Sequence, residues 1–344
     1  MRLLVVGMGG CGRAWVTNAL PQVPQVELAG CVDTDPRALE RATSACAVPA
    51  DRCFTELDAA LDAVRPDAVL VATTLPGHAP VSRRALETGR HVLVEKPFAA
   101  SVAEGEALVA QAAAAGLTLM VSQNYRFFPA AQAAADQVLR GELGELHEVD
   151  IDFRHFSALG EDGVPRGHQL LEQPLLEDMS IHHFDLLRMV IGAEPLQVWC
   201  RAWNPGWSWF SGPPVGLATI VFENGVEVSY RGSWLSHGPV TPWAGEWRMT
   251  FADGEVGWTS RSLLDDDSCD RVGIRSRGGE AKPVELVKGR PVDRAGSLAE
   301  FVDAVASGRE PESSGRENLR SLALMHAAIG SAAQGGAALP VVGA

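Results

Sequence analysis

Short apolar segments alternate with helix-compatible segments over the first 122 residues, and this alternation constrains the fold more than any other feature of the sequence. We predict buried strands at residues 2–6, 26–32, 68–72, 92–94 and 117–122. We predict helices at residues 11–20, 56–64 and 78–87, and from a capping box at Ser101 to Gly116. Strands that alternate with helices in this way are typical of a doubly wound, parallel α/β sheet.

A glycine-rich motif links the first strand to the first helix. It consists of Gly7, Met8, Gly9, Gly10, Cys11 and Gly12. In this context Gly7 permits a tight turn, Gly9 lets the backbone approach a pyrophosphate, and Gly12 lets the helix pack close to the strand. All six residues are therefore candidates for binding a dinucleotide, and the sheet is predicted to be a Rossmann domain.

An acidic residue ends the second strand. Asp33 lies 21 positions after Gly12, where a carboxylate can accept hydrogen bonds from the adenosine ribose and repel a 2′-phosphate. Asp35 adds to this repulsion, whereas Arg37 keeps NADP open as the less favoured choice. The sequence therefore predicts NAD as the cofactor.

Polar residues also follow the third and fourth predicted strands, at the edge where open α/β sheets bind their ligands. These further cofactor candidates are Thr73, Thr74, His78, Glu95 and Lys96. Pro97 restricts Lys96 to an extended backbone. A lysine held at such an edge is a plausible proton-handling group, because burial or a nearby positive charge lowers the pKa of an amine.

Composition excludes several classes of partner. The formal net charge is −14, which disfavours nucleic acid and anionic membranes because both require a basic surface. The six cysteines show no metal-binding or disulfide spacing, so we expect buried free thiols in a reducing cytoplasm. We find no membrane-spanning run and no signal peptide in the sequence.

The pattern changes after residue 123, and with 344 residues we expect two domains, at 1–123 and 124–344. For the C-terminal helices, within residues 297–333, packing against the first domain stays open as an alternative. Asn224-Gly225 between two β-rich runs predicts a hairpin. Further predictions are a helix at 129–139, strands at 147–153, 246–251 and 255–259, a long loop at 156–177, and an acidic loop at 263–277.

One predicted helix of the second domain, at residues 178–191, carries a polar stripe. Asp178, His182 and Asp185 lie at positions i, i+4 and i+7 and so share a face. Asp178 can fix the tautomer of His182, and a buried core pair is as good an interpretation as catalysis. For His183, on another face, we favour a core position. Since no third ligand has recognisable spacing, we predict no metal site.

Tryptophans are concentrated in the second domain, where eight of the nine lie between residues 199 and 258. Indole rings stack on sugars, but in a sheet most are core or interface residues. Those near Gly/Pro-rich stretches are better candidates for a sugar platform than Trp199. They are Trp207, Trp209, Trp243 and Trp247.

These motifs together resemble the glucose–fructose oxidoreductase/inositol dehydrogenase (Gfo/Idh/MocA) family. The resemblance lies in residues 7–12, 33, 72–78, 85–97, 124–127 and 178–188. It implies that Lys96 reaches the nicotinamide, stabilises an alkoxide and relays a proton, while His182 is the base and Asp178 orients it. It also implies an α+β second domain with an open, mostly antiparallel sheet used for homo-oligomerisation, as a dimer or tetramer.

The expected function is NAD-dependent hydride transfer from a secondary alcohol of a sugar, polyol or cyclitol. Glu95 is expected to position Lys96 or the cofactor. The candidate substrate contacts are Arg126, His155, Trp207 and Trp243. Two alternatives stay open: an NAD-retaining glycosidase, disfavoured because Tyr125 and Tyr230 are the only tyrosines, and an inactive NAD-binding regulator, which would not need the catalytic set.

Overall fold

The computed structural model describes residues 1–343, which form two compact units. The first unit contains Met1–Asn124 and Pro291–Leu319, and the second contains Tyr125–Arg290 and Arg320–Gly343. The expected boundary after residue 123 lies one residue from the division in the structure. Residues 291–319 belong to the first unit, which is the alternative left open above for the C-terminal helices.

The first unit is a Rossmann domain, as predicted. Its six strands are β1 (Arg2–Val6), β2 (Glu27–Val32), β3 (Cys53–Phe54), β4 (Ala68–Val71), β5 (His91–Glu95) and β6 (Leu119–Ser122). They pair in parallel in the order β3-β2-β1-β4-β5-β6. The helices are α1 (Gly10–Ala14), which continues as a π turn over Trp15–Ala19, α2 (Pro36–Cys46), α3 (Leu57–Val64), α4 (Leu75–Glu87) and α5 (Val102–Ala115).

Local chemistry explains these elements. Every residue of β4 is buried, as expected for a parallel strand covered on both faces. Ser101 caps α5 by accepting a hydrogen bond from the backbone N–H of Glu104 at 3.2 Å, and Gly116 ends the helix at φ +65°, a conformation that glycine adopts without strain. Helix α2 and the short strand β3 had not been predicted.

The second unit is built on a nine-stranded sheet. Its strands are β7 (Leu146–Arg154), β8 (Pro195–Trp203), β9 (Val215–Phe222), β10 (Glu227–Ser233), β11 (Glu246–Phe251), β12 (Gly254–Thr259), β13 (Arg271–Ser276), β14 (Lys282–Pro283) and β15 (Leu339–Pro340). The order is β14-β13-β12-β11-β7-β10-β9-β8-β15. Only β7 and β10 pair in parallel, so the predicted mostly antiparallel sheet and its β9–β10 hairpin are confirmed.

Four helices complete the fold. In the second unit these include α6 (Pro129–Arg140) and α7 (Ile181–Ile191). Helix α8 (Asp293–Ser307) belongs to the first unit, and the division between the units falls within α9 (Gly315–Ala333). Within residues 1–343, no helix has both the length and the apolarity needed to cross a membrane.

One face of the nine-stranded sheet is charged rather than apolar. Ion pairs cross it between Arg248 and Asp150 at 2.5 Å and between Arg231 and Asp152 at 3.2 Å. Large exposed apolar side chains on this sheet are concentrated on β8 and β9, at Leu196, Trp199, Trp203 and Leu217. The charged and the apolar parts of this face therefore lie on different strands.

Candidate functional site

The glycine loop between β1 and α1 is closed on one side and open on the other. A Cβ at Gly7, where φ is +95°, would lie 2.6 Å from the backbone of Ala72, and one at Gly12 would lie 1.8 Å from the carbonyl oxygen of Gly7. A Cβ at Gly9 or Gly10 would meet no atom within 4 Å. The loop therefore packs tightly against the sheet and leaves the backbone at Gly9 accessible to a phosphate group.

The carboxylate of Asp33 holds this loop in place. Its Oδ2 accepts a hydrogen bond from the backbone N–H of Met8 at 2.6 Å, and its Oδ1 accepts one from the N–H of Asp35 at 2.9 Å. The side chain is half-buried. Asp33 thus lies beside the glycine loop, where the motif predicts the adenosine ribose, and the loop and carboxylate together fit a dinucleotide.

His78 ties together the turns that follow β4 and β5. Its Nδ1 lies 2.7 Å from the carbonyl oxygen of Pro97, and its Nε2 lies 3.0 Å from the carbonyl oxygen of Thr73. The ring is buried, whereas Thr73 is half-buried and Thr74 is exposed. We conclude that His78 shapes the ligand-binding edge from inside, while Thr73 and Thr74 offer the surface.

Glu95 is a buried carboxylate with three donors. It accepts hydrogen bonds from Trp15 Nε1 at 2.7 Å, from Cys11 Sγ at 3.3 Å and from Arg294 Nε at 3.3 Å. Burial acts to raise the pKa of Glu95, but Arg294, Trp15 and Lys96 outweigh it and the pKa is lowered. Glu95 therefore stays ionised, and it braces the glycine-loop helix against α8.

Lys96 leaves the sheet directly after Glu95. Glu95 pairs in register with Ser122 of β6, and Val94 pairs with Val71 of β4, so Lys96 lies at the carboxyl edge of the parallel strands, where ligands bind. Its side chain is half-buried, and the bond to Pro97 is cis. The position predicted from the sequence is the position that the lysine occupies in the first unit.

In the second unit, the segment before α7 is not the regular α-helix that the sequence predicted. Leu176–Ser180 is a π-helical turn, and the α-helix begins at Ile181. The i, i+4, i+7 spacing from Asp178 therefore crosses a change of helix type, because π and α turns differ in residues per turn. Asp178 is half-buried on the π turn, and His182 is buried in α7.

The imidazole of His182 stacks on the ring of Tyr125. The ring centroids are 4.1 Å apart and the planes differ by 7°. Tyr125 is itself buried and its hydroxyl points to the sulfur of Met179, at 3.9 Å. The plane of the His182 ring is therefore fixed by an aromatic neighbour.

Asp185 has a structural role. Both its oxygens receive the guanidinium of Arg126, at 2.6 and 2.7 Å, and Oδ1 also accepts the hydroxyl of Ser321 at 2.8 Å. Arg126 and Asp185 are both buried, and such pairs stabilise only when both partners are present. Arg126, which we had considered for substrate contact, thus anchors α7 within the second unit.

His183 lies in the core, as expected. Its Nδ1 is 3.1 Å from the hydroxyl of Tyr230, which also contacts the hydroxyl of Ser180 at 2.9 Å, and its Nε2 is 3.0 Å from the carbonyl oxygen of Trp243. The ring is fully buried, and burial lowers its pKa to about 4. His183 is therefore neutral, donating from Nε2 and accepting at Nδ1.

The remaining substrate candidates lie in or near an aromatic cluster. His155 is buried, stacks on Trp243 at 4.2 Å and on Phe153 at 4.7 Å, and its Nε2 is 2.9 Å from the carbonyl oxygen of Thr241. Trp243 is half-buried, whereas Trp207 is 58% exposed. Of the two other platform candidates, Trp209 is half-buried and Trp247 is buried against Trp258.

The two buried histidines predict an acid-sensitive fold. Burial lowers the pKa of His155 and of His183 from 6.5 to about 4, so the unfolded chain binds more protons than the native one between these values. This contribution to stability is therefore fully present above pH 6.5 and is lost as the pH falls towards 4, by several kcal/mol in total, since one pKa unit corresponds to about 1.4 kcal/mol.

Urea unfolding across this pH window measures the effect. His155→Phe keeps an aromatic ring in the stack and removes the titrating group, so its free energy of unfolding should fall less steeply with acidification. An identical slope in both proteins would contradict the assignment.

Sequence reasoning missed several residues around these groups. Trp15 and Arg294 hold Glu95, although Arg294 is 199 positions away from it in the chain. Tyr125 lay in a recognised motif but had been given no positioning role. In the part of the chain that the structure describes, no group of three or more His, Cys, Asp or Glu side chains could hold a metal.

Both units match one family by sequence. Residues 1–123 match the Gfo/Idh/MocA oxidoreductase family, NAD-binding Rossmann fold, and residues 131–255 match the Gfo/Idh/MocA C-terminal domain. The chain is 31% identical over 318 residues to UDP-N-acetylglucosamine 3-dehydrogenase of Acidithiobacillus ferrooxidans, covering 90% of each protein. It is 28% identical over 336 residues to D-apiose dehydrogenase of Paraburkholderia graminis, covering 92% of this chain and 84% of the relative.

A solved structure shows the same fold. An oxidoreductase from Agrobacterium radiobacter, in complex with NAD+, L-tartaric acid and magnesium, superposes with a TM-score of 0.85 at 21% identity, over 99% of this chain and 98% of the other. The glycine loop follows β1 and Asp33 follows β2, the arrangement that is typical of a dinucleotide-binding domain. The chain belongs to the Gfo/Idh/MocA family of NAD-binding oxidoreductases.

Proposed function

We propose that the protein is a dehydrogenase that oxidises a secondary alcohol of a sugar, polyol or cyclitol with NAD. The observation that carries this proposal is the half-buried Lys96 at the ligand-binding edge of a Rossmann sheet whose glycine loop is open at Gly9. The names of the two relatives described above, which act on a nucleotide sugar and on apiose, support a sugar-like substrate.

The first unit supplies the cofactor site. The residues that would hold NAD are the loop from Gly7 to Gly12, with Met8, Gly10 and Cys11, together with Asp33, Thr73, Thr74, His78 and Glu95. When bound, NAD supplies the hydride acceptor at its nicotinamide ring. Glu95 and His78 would support the cofactor site without contacting NAD directly, because both are buried and hydrogen-bonded to the protein. The exposed Gly9 and Thr74 would contact NAD directly.

Three residues are proposed to handle the proton of the substrate hydroxyl. Lys96 stabilises the developing alkoxide and relays the proton, His182 accepts it as the base, and Asp178 orients His182. A fixed ring plane suits a base, since a proton acceptor must be aligned with the proton that it removes. Trp207 and Trp243 remain candidate sugar platforms. Arg126 and His155 are weaker candidates because Arg126 is bonded to Asp185 and His155 to the carbonyl oxygen of Thr241.

The glycosidase alternative has little support. It relies on a tyrosine acting as a base or acid, and both tyrosines of this chain are buried. Burial raises the pKa of Tyr230, whose hydroxyl is bonded to Ser180 and lies beside His183. A dehydrogenase is the better proposal.

An absorbance screen for NADH formation tests the function. The panel contains sugars, inositols, sugar acids and nucleotide sugars, with the protein and NAD in each well. We expect steady NADH formation with at least one class of secondary alcohol. Glycoside cleavage without net NADH would favour the glycosidase, and NAD binding without any turnover would favour a regulator.

Cofactor preference gives a separate prediction. We expect the protein to use NAD at least about tenfold better than NADP, because two like charges about 4 Å apart repel by about 4 kcal/mol at an effective dielectric constant of about 20. Asp33→Ala should narrow this preference, measured as the ratio of kcat/KM values. Asp35→Ala, at an exposed neighbour, is the matched control and should change the ratio less. A higher kcat/KM with NADP in the unaltered protein would refute the role of Asp33.

We also propose that the protein is a homo-oligomer, a dimer or tetramer, through the nine-stranded sheet. The exposed Trp199, Trp203 and Leu217 on β8 and β9 are the apolar part of that face. Light scattering should report more than one subunit at micromolar concentration, and Trp203→Gln/Leu217→Gln should lower the mass. Arg248→Gln, in the charged part of the face, should not. A stable monomer would contradict the proposal.

We place the protein in the cytoplasm, as the cysteine composition predicted. All six cysteines are free thiols in the structure. Cell fractionation with an antibody against the chain tests this location.

A further inference from the structure

Three side chains from distant parts of the sequence form a stack in the second unit. The Cζ atom of Arg261 lies 4.4 Å from the centroid of the Tyr125 ring, and the His182 ring lies 4.1 Å from the same centroid. The exposed fractions are 8% for Arg261, 2% for Tyr125 and 5% for His182. All three are therefore held in the interior of the unit.

The tyrosine ring contacts both of the other side chains. His182 is nearly parallel to it, with 7° between the planes, and the guanidinium lies over the ring. The cation and the imidazole therefore both pack against the same phenol ring. A cation over an aromatic face is attracted by the ring quadrupole, and more strongly when both are desolvated.

Arg261 is itself held firmly. Its Nη2 lies 3.0 Å from Oδ1 of Asp265, and its backbone N–H donates to Asp270 Oδ1 at 3.0 Å. Its backbone has φ +58°, in the left-handed region that costs a non-glycine residue energy. The guanidinium also lies 5.9 Å from the ring centroid of Trp243. The segment that follows β12 therefore holds the Arg261 side chain against Tyr125.

We propose that Arg261 is a positioning residue for His182, acting through the ring of Tyr125. The inference rests on the proposed function, in which His182 takes the hydroxyl proton. The lone pair of an imidazole nitrogen lies in the plane of the ring, so the plane decides where the base can accept a proton. Arg261 holds the ring of Tyr125, and the ring of Tyr125 fixes the plane of the His182 ring.

The adjacent His183 provides an internal contrast. It is fixed by hydrogen bonds at both nitrogens, to Tyr230 and to Trp243, and Tyr125 meets it edge-on, with the centroids 6.5 Å apart. Removing Arg261 should therefore disturb His182 and leave His183 in place.

Kinetics of Arg261→Met and Arg261→Lys test the role. Met keeps the length of the side chain without the cation, so kcat should fall by about tenfold to a hundredfold, as expected when a reacting group is misplaced by about 1 Å, while KM and the Kd for NAD change little. Lys keeps a cation and should recover part of kcat. Arg248→Met, which removes an exposed arginine from the same sheet, should leave kcat unchanged.

Histidine side-chain ¹H–¹⁵N spectra give a readout that does not depend on turnover. The His182 signals, assigned with His182→Asn, should shift or broaden in Arg261→Met and in Tyr125→Leu, and stay in place in Arg248→Met. Tyr125→Phe keeps the ring and should preserve them. If Arg261→Met fails to fold, Arg261→Lys and the Tyr125 pair carry the test.

The outcomes separate the inference from the function on which it rests. If His182→Asn abolishes turnover while Arg261→Met leaves kcat and the His182 signals unchanged, the positioning role is overturned and the function stands. If no alcohol yields NADH, the function fails, and the spectra alone decide whether Arg261 fixes the ring. A uniform loss of stability with every histidine signal altered would also overturn the inference, because it would show a general structural role.

Discussion

Lys96→Met should abolish nearly all turnover and leave NAD binding intact. Methionine keeps the length and apolar stem of the half-buried side chain but has no amine to stabilise an alkoxide or move a proton. Loss of a positioned acid–base group costs on the order of 10²–10⁴-fold in rate. Stopped-flow measurement of hydride transfer, with calorimetry for the NAD Kd, checks both halves of the prediction.

Lys96→Met is a more specific test than a substitution at the residues that support Lys96. Glu95 and His78 hold the neighbouring backbone, so a change there would disturb structure and chemistry together, whereas Lys96→Met changes only the amine. If Lys96→Met turned over at the rate of the unaltered protein, the assignment of the lysine would be wrong. If it lost NAD binding as well, the amine would belong to the cofactor site alone.

His182→Asn should cost a similar factor, on the order of 10²–10⁴-fold in kcat. Asparagine keeps polarity and approximate size but cannot accept a proton as an imidazole does. Asp178→Asn should leave a larger residual rate, because the base would be present but less well oriented. If Lys96 and His182 serve one proton transfer, the double variant Lys96→Met/His182→Asn should be little worse than either single variant, since members of a catalytic unit are not additive.

His183→Asn is the matched control on the same helix. It removes a fully buried ring that is hydrogen-bonded at both nitrogens, so it should lower the free energy of unfolding by about 1–3 kcal/mol and change kcat less than His182→Asn does. If His183→Asn abolished turnover in a folded, NAD-binding protein while His182→Asn did not, the roles assigned to the two histidines would be reversed.

The parts of the fold that could be predicted from the sequence depend on local signals. Buried parallel strands give continuous apolar runs, and the β4 and β5 positions followed from them. The β9–β10 hairpin followed from Asn224-Gly225, because few sequences allow the backbone twist of such a turn. The capping box at Ser101 likewise fixed the start of α5.

The missed elements lack such signals. Strand β8 carries Leu196, Trp199 and Trp203 on its exposed side, so apolar residues occupy both faces and no alternation is visible. The π turn before α7 has hydrogen bonds between residues five apart rather than four, so it changes the direction in which the following side chains point. Residue spacing alone does not reveal such a turn.

The candidate site was predicted only where its residues share a motif. Lys96 and His182 lie in segments with recognisable neighbours, whereas Arg261 reaches Tyr125 across 136 positions of the chain and Arg294 reaches Glu95 across 199. Contacts over such separations are set by the packing of strands and helices, so they cannot be predicted from a single sequence without its fold.

Asp33 has a consequence for anyone who wants to re-engineer the protein for NADP. Its carboxylate accepts a hydrogen bond from the Met8 N–H at 2.6 Å, and in the proposed NAD site the same carboxylate would repel a 2′-phosphate. Replacing Asp33 with a small apolar residue would lower the selectivity for NAD over NADP. It would also loosen the glycine loop and weaken the binding of both nucleotides. Asparagine retains an acceptor oxygen without the charge. The first substitution towards an NADP-using variant is therefore Asp33→Asn, combined with a basic side chain placed near the 2′-phosphate.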